Sequence, residues 1–135
     1  MNDQEFLAAF ESGTLPPHEF PHRAHIRMAW LVLRRDGWDV GFENIREGIQ
    51  HFARAHGALR KYHETITRFW ALIVSHALTL DSDIREFEDF AAAYPHLFDT
   101  QLILRHYSRE LLGTDTARAA WVEPDLEPLP ADMVR

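Results

Sequence analysis

The stretch ALRKYHETITRFWALIVSHALTL, residues 58–80, decides the fold. Its apolar positions Leu59, Tyr62, Ile66, Trp70, Ile73, Ala77 and Leu80 recur every three or four residues, the period of a helix with one buried face. No proline or glycine interrupts the run, so it predicts a helix from about Ala58 to Leu80, the longest in the chain. A helix with one apolar stripe needs neighbouring helices to cover it.

Those neighbours are written on both sides. Upstream, Gly57 stops a helix from about Gly41 to His56, for which Asp39 is the expected cap. Phe42, Ile45, Ile49, Phe52, Ala53 and His56 share its inner face, with Arg46, Glu47, Gln50 and Arg54 opposite. Before it, Phe20-Pro21 opens a helix that runs to about Arg35 and ends at Asp36-Gly37, since proline suits a first helical turn. A short helix, Asp3 to Glu11, carries Phe6, Leu7 and Phe10 on one side and stops at Ser12-Gly13, ahead of Pro16-Pro17.

Downstream, Asp83-x-x-Glu86 has the form of a capping box and predicts a helix through about Ala93, ended by Pro95. Asp99 or Thr100 caps a further helix to about Leu112, closed by Gly113, and Thr114 to Arg118 is one more helical turn. No run alternates as a strand does. The expectation is an all-α, single-domain bundle of about six helices over residues 1–121. Residues 122–135 form an extended, proline-rich C-terminal tail, pinned by Trp121, Leu126 and Leu129.

Composition narrows the function classes. In 135 residues, 46% are hydrophobic and 26% charged, as in a folded domain that builds its own core. The net charge of -7 disfavours nucleic acid and anionic membranes, and no glycine-rich phosphate loop is present. Cysteine is absent, which excludes disulfide frameworks, thiolate metal sites and cysteine nucleophiles. The N-terminus lacks the basic and apolar regions of a secretory signal, and no apolar run is long enough to cross a bilayer. A cytoplasmic protein with no membrane partner is expected.

Chemistry points to the histidines, of which there are nine. On a helical wheel of about 100° per residue, His22 and His25 share a face with Ala29, Val32 and Leu33. His63 falls beside Thr67, Trp70 and Val74. Inward imidazoles are costly unless both ring nitrogens find partners, and one metal ion bound by His22, His25 and His63 would satisfy all three. Three neutral nitrogen donors leave coordination positions open, as catalytic sites require. The set suits iron, copper or zinc, and spacing does not choose among them.

On this reading the chain is a metal-dependent enzyme acting on a polar small-molecule substrate. A redox metal gives oxidation; zinc gives hydrolysis or elimination. Glu64 orients a ligand or moves a proton, Tyr62 and Thr67 position water or substrate, and Arg27 meets an anionic group. His56 and His106 stand as further candidates for the ligand set, while His18, His51, His76 and His96 read as surface or loop residues. The alternative is a non-catalytic binding or interaction domain, in one form a homodimer, whose buried histidines form a structural hydrogen-bond network.

Four segments carry a resemblance. They are Phe20-Pro21-His22-Arg23-Ala24-His25-Ile26-Arg27-Met28-Ala29-Trp30, the pair His56-Gly57, Lys61-Tyr62-His63-Glu64-Thr65-Ile66-Thr67, and Ala117-Arg118-Ala119-Ala120-Trp121-Val122-Glu123-Pro124-Asp125-Leu126. Together they resemble a group of small bacterial all-helical proteins, and the likeness covers most of the chain. It implies a stand-alone helical domain and marks His22, His25, His63 and Glu64. It carries no particular reaction with it.

Overall fold

Asn2 starts the first helix. Its side chain accepts the Glu5 amide at 2.8 Å, and the Glu5 carboxylate accepts the Asn2 amide at 3.1 Å, which satisfies two donors that the first turn leaves over. Helix α1, Asp3–Ser12, ends at Gly13, whose φ of 76° turns its amide back onto Ala9 and Phe10. The computed structural model describes residues 1–133, and among these the regular structure is helical, with no strand. Contacts divide the chain into two units, Met1–Tyr62 and His63–Arg135. The boundary falls inside the stretch that predicts one long helix.

In the first unit, α1 packs on α2, His22–Ala55. The two helices expected here form one run broken by a kink at Gly37 (φ 76°, ψ -174°). Helical structure resumes directly after it, so Asp39 lies within the helix instead of capping it. Asp36 ties the kink together by accepting from Arg35 at 2.8 Å and from Asn44 at 2.9 Å. The Arg35 bonds above all, with Asn44 adding to them, hold its carboxyl below the usual range.

An added Cβ at Gly37 would meet nothing within 4 Å, so the demand for glycine there is purely conformational. Gly37→Ala is expected to cost about 1–3 kcal/mol in urea unfolding, the strain of forcing a side chain into a region only glycine populates. The interior of this unit is aromatic. Phe20 lies 5.2 Å from Phe10 and 4.8 Å from Phe52 between ring centres, and Phe6, Phe10, Leu15 and Trp30 are buried.

The second unit is organised by α3, Glu64–Leu80, whose Phe69, Leu72 and Val74 are buried. This helix begins about six residues later than its apolar period predicts. Leu59–Lys61 is a 3₁₀ turn, Tyr62 is extended, and His63 is the cap (φ -137°, ψ 110°). Helix α4, Phe87–Ala93, also starts late, with Glu86 before it making no side-chain cap, so the expected capping box is not formed.

The helix expected from Asp99 to Leu112 is divided. A 3₁₀ turn, Leu102–Arg105, is followed by Ser108 in extended conformation and the one-turn helix α5, Arg109–Leu112. Ser108 is held outside any helix because its amide and hydroxyl both donate to the Asp125 carboxylate, at 2.8 and 2.6 Å. Helix α6, Asp115–Ala119, is the expected single turn, capped by Thr114. No helix among the described residues is long and apolar enough to cross a membrane.

Candidate functional site

His63 caps α3 with its own ring. Nδ1 accepts the Ile66 amide at 3.1 Å, which an unprotonated nitrogen alone can do. Nε2 therefore carries the proton and donates to the Leu112 carbonyl at 2.7 Å. The ring is buried, 7% exposed, and joins the start of α3 to the end of α5. Both nitrogens are spent on main chain, so His63 has no lone pair left to offer an ion. A helix beginning at Ala58 would place this residue on a helix face; it lies outside the helix instead, as the cap of α3.

The other expected ligands belong to the first unit. His22 is the first residue of α2, and His25 follows one turn later with its Nδ1–H donated to the Pro21 carbonyl at 3.0 Å. The His25 ring stacks on Phe20, 3.7 Å between centres and 22° between planes. Burial against this packing lowers the His25 pKa; the Pro21 bond opposes the shift, and the positive potential of His22 adds to it. Folding thus favours the neutral ring. The unfolded chain takes up a proton near the ordinary value of about 6.5 and the folded chain only below it. Stability from this site is full above about pH 6.5 and is lost as the pH falls through the lowered folded value. Urea melts from about pH 7 down to about pH 5 should show a decline that is shallower in His25→Phe. Parallel declines in the two proteins would contradict it.

Among the described residues, no group of three or more His, Asp or Glu side chains is arranged to hold a metal ion. Glu64 is the first residue of α3 and is buried, 7% exposed, where the positive end of the helix favours a carboxylate. Tyr62 and Thr67 are half-buried. Arg27 is committed to Asp3 through Nε at 3.0 Å and Nη2 at 2.7 Å, with its guanidinium 4.5 Å from the Phe6 ring centre.

A common pattern links the histidines. His51 donates to the Ser12 carbonyl at 3.3 Å and His56 to Leu15 at 3.1 Å, the first joining α2 to the last residue of α1 and the second to the loop that follows it. His106 donates from Nδ1 to Glu127 at 2.7 Å. With His25 and His63, five imidazoles each bind a backbone carbonyl, a use of histidine that needs no ion.

Thr65, which the sequence does not mark, is a second junction within the unit His63–Arg135. Its buried hydroxyl lies 2.7 Å from the Ala117 carbonyl and 2.9 Å from that of Ala120, and it accepts the Val122 amide at 3.3 Å. Nothing in the local sequence signals this, because every partner lies more than fifty residues away.

The second unit also carries a half-open cavity of about 410 Å³. Ile73, Ala77 and Leu80 of α3 line it together with Leu102, Pro128 and Pro130. His76, His96, Arg105 and His106 add nitrogen-bearing side chains. Segment 125–127 is held in place by Asp125 on Ser108 and by the amides of Leu126 and Glu127, which donate to His106 and Arg105 at 3.0 and 3.3 Å. This volume lies within the range of small-molecule sites, roughly 300–1,000 Å³. Comparison of the chain with protein-family models, with curated proteins and with solved structures returns no match.

Proposed function

We propose that this chain is a binding domain for a small molecule, taken up in the cavity of the second unit, with its histidines serving as structural hydrogen-bond clips. The observation that carries this reading is the His63 ring, whose two nitrogens are both engaged by main chain. A metal centre that includes His63 would have to break the cap of α3 and strand the Leu112 carbonyl. The cavity supports the binding half of the proposal: its walls come from α3, the turn at Leu102–Arg105 and the proline-rich segment, which is the common plan of an apolar pocket with a few polar groups.

Titration with 1-octanol, followed by amide chemical shifts, tests the reading. Shifts are expected at Ile73, Ala77 and Leu102 and are expected to vanish in Ala77→Phe, whose ring intrudes on the cavity from α3. Shifts spread evenly over the protein, or unchanged in that variant while its spectrum stays folded, would overturn it.

A further inference from the structure

We infer that the cavity takes an apolar monocarboxylate and that Arg105 receives the carboxylate; this rests on the cavity being a binding site. Arg105 ends the turn Leu102–Arg105 and lies on the cavity lining with its side chain exposed. Among the described residues its guanidinium makes no hydrogen bond or ion pair, in contrast to Arg27 and Arg35, which are committed to carboxylates. A guanidinium presents a planar fork that matches a carboxylate with two parallel bonds.

The surrounding chemistry agrees on polarity and on shape. His76, His96 and His106 line the same cavity, and Glu127 is the one acidic residue among the described lining. The His76 ring is 3.6 Å from Asp132, His106 is tied to the Glu127 carbonyl, and the His96 ring lies 6.2 Å from that of Tyr94, so among the described lining residues Arg105 is the permanently charged cation with no carboxylate partner. Pro128 and Pro130 have no amide hydrogen, so the wall they form offers an anion nothing. Ile73, Ala77, Leu80 and Leu102 offer only apolar surface. A ligand that satisfies all of this has one anionic end, at Arg105, and an apolar body. An amine would meet a like charge, and an alcohol would forgo the bidentate pairing.

Calorimetric titration of the full chain with octanoate, 1-octanol and octylamine separates these. Octanoate is expected to bind about tenfold more tightly than 1-octanol, with octylamine weakest. Arg105→Gln, at an exposed position, should bring octanoate down to the level of 1-octanol, with a larger loss for octanoate than for 1-octanol, while Arg105→Lys should keep part of the preference. Equal binding of octanoate and 1-octanol would overturn the carboxylate assignment and leave the cavity reading standing. Octanoate binding that is unaltered in Arg105→Gln would overturn it too. If none of the three binds, the cavity reading falls, and this inference with it.

Discussion

Thr65→Val is expected to destabilise the protein by about 2–4 kcal/mol, measured as a lower urea midpoint at unchanged slope. Valine fills the same space, so the loss is the hydroxyl alone. That hydroxyl sits between the Ala117 and Ala120 carbonyls and the Val122 amide, in a fully buried position. Without it, one donor and two acceptors at the end of α6 face an apolar methyl, and a buried polar group without a partner costs about 1–3 kcal/mol. Thr65→Ser keeps the hydroxyl and gives up one methyl, so about 1 kcal/mol is expected. A valine variant as stable as the serine variant would show that the junction contributes nothing.

His63→Ala should be of similar size, also about 2–4 kcal/mol, because two effects add. The Ile66 amide loses its cap, worth about 1 kcal/mol, and the Leu112 carbonyl loses its donor in a half-buried setting. Asparagine at this position can still cap the helix but cannot reach across to α5, so His63→Asn should recover roughly the capping share. The order wild type, Asn, Ala is the signature of a structural histidine. A metal ligand would place Asn and Ala together, with the loss tracking added metal in place of helix capping.

Helical periodicity made the fold class legible, and local caps made some ends legible. Gly13 and Thr114 act where their residue types say they should, because each works on the backbone within one turn. The misplaced ends have distant causes. His63 leaves the helix to donate to Leu112, and Ser108 leaves it to donate to Asp125. Both pairings outweigh propensities that favour continuing the helix, and neither partner is near in sequence. Gly37 taught a different lesson. The break at Asp36-Gly37 is visible in the sequence, but a single glycine in an unusual conformation makes the whole turn, so the helix resumes at once and the expected Asp39 cap is not needed.

The site was less legible for a related reason. A wheel assigns a face to every histidine taken as helical, and His63 stands before the true start of α3. Nothing local marks Thr65, or the grouping of His76, His96, Arg105 and His106 around one cavity, because that grouping exists only once residues 127–130 share a lining with α3 and the Leu102–Arg105 turn. His76 and His96 read as surface residues from sequence, and His96 is indeed exposed; what sequence could not supply was their common neighbour.

A structural His63 holds its proton on one particular ring nitrogen, and long-range nitrogen–proton NMR correlation of the imidazoles reports which one directly. The account predicts a proton on Nε2, a bare Nδ1, and no change in either resonance when zinc or iron(II) is added. A proton on Nδ1, or a His63 resonance that moves together with those of His22 and His25 on adding metal, would contradict it.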